Sequence, residues 1–465
     1  MLSYILYAKK AEKNTFHFAI TSKGNAIIKT NRELSPGSWF DIVGDIIKID
    51  EDTVEIHPTK IEFVQKPEKN EMNSILNFIK EKSKPKNTKF FFENQDMEML
   101  SSSIYDAAKY IKEACVLKRP IIIRYDTDQD GLTGAVSLFY ALKDYYNIKF
   151  ISQQFPFYNR LDFEEDRRYI ENLEAKHLPP VLVTVDFGFN PESEEAYRLA
   201  KDYGFSILVI DHHPPQKPAM KELFEAIVSP WLFNIKNPSS YTAGLLATEI
   251  AKKIGNINKK IADNLIRISL TADRSKIYSP TKSDLKNAEA VGYFIGTSAY
   301  ENNIAQYAKA IEDEEMLDFA YAQSQEKIQT FLEKAKNTTK SKTINGITFF
   351  FVDVTKHIKK GSYPNKGLAA NIMADLLGNR KTPTVTIVYT GRNISFRLNQ
   401  AALEFGLDLS KAISKLKSEM LNVIESGGGH KAAAALRLKQ GYLKEALDKI
   451  VHYIAEQNPK QSLKR

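Results

Sequence analysis

The chain has 465 residues, 43% of them hydrophobic and 26% charged, enough for about three globular domains of ordinary composition. Its net charge of +8, from 65 Lys and Arg against 57 Asp and Glu, favours a polyanionic partner without demanding one. No apolar run approaches the roughly 20 residues of a membrane helix, and the opening Met1-Leu2-Ser3-Tyr4-Ile5-Leu6-Tyr7 lacks the basic start and long apolar core of a signal peptide. A single cysteine, Cys115, excludes internal disulfides and fits a cytoplasmic protein.

Residues 1–65 read as five short strands: Ser3–Lys9, Thr15–Thr21, Asn25–Lys29, Trp39–Ile47 and Thr53–Ile61. Turn signals such as Ser22-Lys23-Gly24-Asn25 and Ser35-Pro36-Gly37 separate them. That pattern predicts a small OB-like β-barrel. Tyr4, Tyr7, Phe16, Phe18, Trp39 and Phe40 are candidates for base stacking and equally for the barrel's core. Residues 66–93 are polar and lysine-rich, a linker with one helix over Met72–Lys82. A second helix, Met97–Cys115, opens a catalytic domain over residues 94–285.

From there strand and helix alternate: strand Ile121–Tyr125, helix Ala135–Tyr146, strand Lys149–Gln154, helix Glu164–Leu173, strand Val181–Asp186, helix Pro191–Tyr203 and strand Ser206–Ile210. The alternation predicts an α/β domain with a parallel sheet covered by helices. Residues 286–340 are helical and charged, a connector. A smaller α/β domain fills residues 341–460, with strand Thr343–Val354, helix Lys366–Leu377, strands Thr384–Tyr389 and Asn393–Leu398, helix Leu409–Leu416 and the run Gly427-Gly428-Gly429.

The apolar run Ile121-Ile122-Ile123 leads into Asp126, Asp128 and Asp130 at alternate positions. Like charges this close repel, so such a triplet is either a solvated acidic turn or the site of a hard divalent cation. Its place at a strand-to-helix crossover, where open α/β sheets put their ligands, favours the cation. An EF-hand loop shares the spacing, but its closing acid would fall on Ser137 and no helix precedes it. Three more apolar runs end in chemistry: Val181–Val185 in Asp186, Ser206–Ile210 in Asp211-His212-His213, and Ile268–Ala272 in Asp273. In a parallel sheet those ends share one edge. Singly, an Asp after a strand is often a helix N-cap, yet two adjacent histidines behind an aspartate are hard to explain as packing.

In order and spacing these clusters resemble motifs I to IV of the DHH phosphoesterase superfamily. Asp128-Gln129-Asp130-Gly131 resembles the first, Asp186 the second, Asp211-His212-His213 the third and Asp273 the fourth. Gly427-Gly428-Gly429-His430 resembles the signature of the DHH-associated C-terminal domain, and Ile394-Ser395-Phe396-Arg397 that domain's strand with a phosphate-contacting arginine. The likeness covers about residues 100–455. Within the superfamily the chain is similar to archaeal RecJ-type single-strand nucleases, through Asp-His-His-Pro-Pro and the Ile-Val-Ser-Pro step at Ile227–Pro230.

The resemblance implies that Asp128, Asp130, Asp186, His212 and Asp273 hold two Mn²⁺ or Mg²⁺ ions, with Asp186 as the bridge. It implies that His213 faces the phosphate and that Asp211 orients a ring. It gives Arg397, Gly427, Gly428, Gly429 and His430 the substrate phosphates. The activity implied is exonucleolytic hydrolysis of single-stranded DNA or RNA in replication or repair, beside a replication or repair protein. One position departs from the pattern. Many relatives place a metal-binding histidine four residues before the first motif I aspartate, where this chain has Arg124. Either Asp126 supplies the missing ligand or Arg124 contacts the scissile phosphate. The alternatives are a short-oligonucleotide or cyclic-dinucleotide phosphodiesterase, whose relatives are more compact, and a replisome scaffold, which the retained ligands argue against.

Overall fold

Five strands at the N-terminus close on themselves. The computed structural model describes residues 1–465 apart from 12–13, 51, 154, 156, 216–217, 298–302, 359–361, 379–380, 430 and 458–465. Strands β1 (Leu2–Ala11), β2 (Asn14–Thr21), β3 (Gly24–Thr30), β4 (Trp39–Lys48) and β5 (Thr53–Phe63) pair in the order β2-β3-β5-β4-β1, and β1 returns to β2. Alternate residues fill the barrel, among them Ile5, Ala19, Ile28, Phe40, Ile42 and Ile56. Gly44 sits at a bulge in β4, where a Cβ would lie 2.1 Å from the His57 carbonyl oxygen. Helix α1 (Lys69–Lys82) and helix α2 (Gln95–Val116), the latter capped by Asn94, follow.

Next come β6 (Ile121–Asp126), α3 (Gln129–Leu142), β7 (Ile148–Gln153), α4 (Arg160–Glu171), β8 (Ala175–His177), β9 (Val181–Val185), α5 (Glu194–Asp202), β10 (Ser206–Ile210) and β11 (Ala226–Val228). Helices α6 (Ala243–Ile254), α7 (Lys259–Ala272), α8 (Lys282–Gly296) and α9 (Ile304–Glu312) complete the block. Five strands form an all-parallel sheet in the order β11-β10-β9-β6-β7. Ile122, Leu182 and Ile207 project to one side, into a core with Phe163 of α4 and Ala196, Tyr197 and Ala200 of α5. Helices α3, α6 and α7 pack on one another.

The apolar run before Asp273 is not a strand. It is the last turn and a half of α7, whose buried Ala262, Leu265, Ile266, Ile268 and Ser269 recur at helical spacing, and Asp273 is the C-cap.

The barrel is fastened to the catalytic domain. Strand β8 pairs antiparallel with β1, Tyr7 opposite His177. One apolar cluster joins Leu2, Leu6, Tyr7 and Ile20 of the barrel to Ile75 and Ile79 of α1 and to Leu178, with Tyr4, Phe18 and Trp39 packed against it. Tyr7 stacks on Phe18 at 4.2 Å between centroids, and the Tyr146 hydroxyl donates to its own at 2.7 Å. Tyr4, Tyr7, Phe18, Trp39 and Phe40 are therefore packing residues, and the base-stacking alternative falls for these five. Residues 66–93 are no slack linker either. The Phe91 N–H donates to Glu249 Oε1 at 2.7 Å, and the Lys86 N–H to the Lys253 carbonyl at 2.7 Å.

The molecule divides into two units, Met1–Ala288 with Tyr300–Glu314, and Glu289–Ala299 with Glu315–Arg465. The second contains α10 (Glu314–Thr338), β12 (Thr339–Ile344), β13 (Ile347–Asp353), α11 (Lys366–Leu377), β14 (Thr384–Tyr389), β15 (Asn393–Leu398), α12 (Gln400–Glu404), α13 (Leu409–Glu419), β16 (Ile424–Gly429), β17 (Ala433–Leu438) and α14 (Leu443–Ala455). Its mixed sheet runs β12-β13-β14-β15-β17-β16. Phe349, Ile387 and Phe396 pack with Ile413 of α13 and Ile450 of α14, while Val352 and Val388 pack with Phe331 of α10 and Met373 of α11. The strand expected over Thr343–Val354 is instead the end of a hairpin. Asn345 and Gly346, at φ 52° and 78°, turn β12 into β13, as an Asn-Gly pair does. The glycine run lies in an edge strand, β16.

Candidate metal centre

Because β6, β9 and β10 are adjacent and parallel, their C-terminal ends deliver side chains to one edge. Asp126 ends β6. Asp128 caps α3 by accepting from the Gly131 N–H at 2.9 Å. Gly131 is obligatory there, since a Cβ would lie 2.4 Å from the Asp126 carbonyl oxygen. Asp186 follows β9 at φ 70°, a left-handed backbone that costs an L-residue about 1–3 kcal/mol and persists where the surroundings impose it. Asp130 is fully buried. Its Oδ2 accepts from the Ala243 N–H at 2.8 Å, and its Oδ1 from the Gly244 N–H at 2.7 Å and Ser269 Oγ at 2.5 Å. Those two amides open α6, where helical N–H groups lack intrahelical partners and favour negative charge.

The two histidines are oriented differently. His212 Nδ1 lies 2.8 Å from the Ser239 carbonyl, which only accepts, so Nδ1 carries a hydrogen and Nε2 is the ring atom left to ligate. That Nε2 stands 3.3 Å from Asp186 Oδ1, 3.3 Å from Asp273 Oδ2 and 3.5 Å from Asp130 Oδ2. Asp211 holds the other ring: its Oδ1 accepts from His213 Nδ1 at 2.9 Å and from the His213 N–H at 3.0 Å. Burial alone would raise Asp211 and lower His213. Their pairing outweighs it, keeping Asp211 below the usual carboxylate range and lifting His213 to about 9.

The remaining acids repel. Burial, then the charge of Asp128, lifts Asp126 to about 7. Burial and Asp130 raise Asp128; burial with the charges of Asp130 and Asp128 holds Asp186 and Asp273 well above the ordinary range. Three sets of ligand atoms lie within 4.8 Å of one another: Asp126, Asp128 and Asp186; Asp130, His212 and Asp273; Asp186, His212 and His213. The buried Asp186 Oδ1 has no hydrogen-bond partner among the described residues. Mutually repelling carboxylates, an orphaned buried oxygen and an imidazole nitrogen aimed among them fit a hard or borderline divalent cation.

Arg124 does not belong to this site. Side chains alternate along β6, so Arg124 shares with Ile122 the side facing α4. There its Nε and Nη2 bind Asp166, its Nη1 donates to Gln153 Oε1 at 3.0 Å, and its Nη2 also reaches Glu165. It is buried in that cage, and Asp126 is the acid whose oxygens lie with those of Asp128 and Asp186. In the second unit, Arg397 Nε donates to Asn371 Oδ1 at 2.6 Å and Nη1 to the Phe396 carbonyl at 2.9 Å. Gly427, Gly428 and Gly429 lie in β16, and His430 lies outside the described residues. Sequence reasoning passed over Ser239, Ala243, Gly244 and Ser269. Thr242 ahead of an apolar run does signal a helix start, but nothing in the sequence aims that helix at Asp130.

Residues 120–272 match the model of the DHH family, N-terminal domain. That stretch, with the acids and histidines it carries, resembles the domain that defines the DHH superfamily. The chain is 24% identical, over 493 aligned positions, to an uncharacterized protein of Methanocaldococcus jannaschii; the match covers 93% of this chain and 64% of the relative, so the chain spans less than two thirds of that protein. Among solved structures, the DHH domain of a protein described as belonging to a family of ribosomal proteins matches at TM-score 0.71 and 25% identity, over 83% of this chain and 98% of its own. RecJ from Thermus thermophilus in complex with Mn²⁺ matches at TM-score 0.52 and 16% identity, over 81% of this chain and 57% of its own, a likeness of fold. The matched domain is the one whose strand ends bring the acids and histidines together. Among the described residues, no helix is long and apolar enough to cross a membrane.

Proposed function

We propose that this protein is a two-metal phosphodiesterase, an exonuclease that shortens single-stranded DNA or RNA. The observation that carries the reading is the overlap of ligand sets: Asp186 and His212 each belong to two of the three. Asp126, Asp128 and Asp186 would hold one ion, and Asp130, His212 and Asp273 the other, with Asp186 between them. Bound there, Mn²⁺ or Mg²⁺ makes a water more acidic and offsets phosphate charge.

The chain's own residues do the rest. Ser239 fixes the His212 tautomer so that Nε2 is free to ligate. Asp211 fixes the orientation of the His213 ring and favours its charged form, and the half-exposed ring would present an N–H donor to a phosphate oxygen. The amides of α6 hold Asp130 without a counter-cation of their own. In the second unit, Arg397, Gly427, Gly428, Gly429 and His430 are assigned to substrate phosphates. β16 ends its sheet, and Gly428 and Gly429 are exposed along it, which would let an anion approach the backbone.

One observation favours a short-substrate enzyme with the same centre: the barrel rings that would stack a long strand are occupied by α1, Phe18 and Tyr146. The deciding experiment digests DNA and RNA labelled at either end, from dinucleotide to long oligomer, with Mn²⁺. Stepwise release of mononucleotides from long strands is the expected result. Turnover of dinucleotides alone would favour the short-substrate enzyme, and tight Mn²⁺ binding without hydrolysis of any substrate would overturn both.

A further inference from the structure

The metal centre is built of carboxylates and imidazoles, which recognise phosphate and not what the phosphate carries. Trp231 stands beside it. It lies in the single helical turn Pro230–Leu232 directly after β11. Because β11 runs parallel to β10, with Val228 opposite Ile210, this turn emerges at the same sheet edge as Asp211-His212-His213. The indole Nε1 donates to the His212 carbonyl at 2.8 Å. With that bond made, 38% of Trp231 remains exposed, next to a His213 side chain that is 56% exposed. Buried Ser229 and Pro230 hold the turn behind it.

An indole pinned at its one polar atom is a flat apolar surface with little rotational freedom left to lose. A nucleobase offers such a surface its matching π-face, whatever the base. We propose that Trp231 is the stacking platform for the base of the nucleotide whose phosphate occupies the metal centre, so that the site takes nucleotide esters in preference to base-free phosphates. The proposal rests on the phosphodiesterase reading above. It predicts tolerance of base identity, because stacking reads a face and not a hydrogen-bonding edge.

The chain has two tryptophans. Trp39 packs on Tyr4 in the barrel at 4.7 Å between centroids, so Trp39→Phe leaves Trp231 as the sole indole fluorophore. This full-length variant, with Mg²⁺, is titrated with thymidine 5′-monophosphate, deoxyribose 5-phosphate and pyrophosphate, following emission and, by calorimetry, affinity. Thymidine monophosphate is expected to change Trp231 emission saturably and to bind about 5- to 150-fold more tightly than deoxyribose 5-phosphate. In the same background, Trp231→Ala should bring that ratio close to one without weakening deoxyribose 5-phosphate. Trp231→Phe, which keeps a ring and loses the N–H, should retain part of it.

Equal affinity for the two sugar phosphates in the Trp39→Phe protein, or an unchanged ratio in Trp231→Ala, would overturn the platform while leaving the phosphodiesterase standing. Loss of all phosphate and Mg²⁺ binding in both Trp231 variants would reduce the residue to a prop for His212 and likewise overturn it. Failure of every phosphate to bind the Trp39→Phe protein would remove the phosphodiesterase reading and the platform together.

Discussion

Arg124 and Asp166 form a bidentate pair in the interior, Nε to Oδ2 at 2.9 Å and Nη2 to Oδ1 at 2.8 Å, with at most 1% of either side chain exposed. The Tyr158 hydroxyl also donates to Asp166 Oδ2 at 2.9 Å. Removing one partner of such a pair strands a charge without solvent, so Asp166→Ala should destabilise the protein by about 3–5 kcal/mol. Arg124→Ala should also lower stability in urea denaturation while leaving phosphate affinity within about twofold of the parent. Weakened phosphate binding at unchanged stability would return Arg124 to the site.

Asp186 combines a left-handed backbone with a carboxylate that its neighbours repel. In metal-free protein, Asp186→Asn should therefore raise the midpoint of thermal unfolding, since Asn tolerates that backbone and carries no charge. The same substitution should abolish the stabilisation that Mn²⁺ confers and remove several kcal/mol of catalysis. Scanning calorimetry with and without Mn²⁺ reads both effects. A variant still stabilised by Mn²⁺ as strongly as the parent would refute the shared-ligand role.

Stability without metal should depend on pH through Asp126. Its carboxyl titrates near 7 in the fold and near ~4 in an unfolded chain, so between those values the folded state binds the extra proton. That contribution is complete below pH ~4 and is lost as pH rises through 7. Metal-free protein should lose stability from mildly acidic to neutral pH, and the gain from Mn²⁺ should grow over the same window as binding displaces protons. Asp126→Asn should flatten both trends. A metal-free protein whose stability rose across that window would contradict the burial and repulsion described for Asp126.

Arg397→Ala should weaken oligonucleotide binding and reduce its dependence on salt by about one ion, leaving Mn²⁺ affinity unchanged. The measurement is oligonucleotide affinity against salt concentration, beside a Mn²⁺ titration. Loss of Mn²⁺ binding with nucleic-acid affinity intact would reverse the assignment.

Three of the four acid-bearing segments were legible because a buried parallel strand is largely apolar and delivers its acids at its C-terminal end. That rule found β6, β9 and β10 with their aspartates and histidines. It misread the approach to Asp273 because Ile268, Leu270 and Ala272, at alternate positions, fit a buried strand as well as the end of a buried helix. The periodicity through Ala262 and Leu265 decides between them. The side of the sheet that Arg124 faces follows from alternation with Ile122, yet the sequence does not say that Asp166 and Glu165 of α4 meet it there. The aromatic barrel residues looked open only because the sequence does not say that α1 folds back over them.

Strand β8 has a mechanical consequence. After its ladder with β1 ends at His177, the chain runs through Leu178, locked in the apolar seam, and through Pro179-Pro180 into β9. Two prolines give that link almost no slack, and Arg119 clamps it by donating to both their carbonyls, at 2.6 and 3.3 Å. A load on the barrel is thus passed along a short, stiff tether into the strand that ends at Asp186.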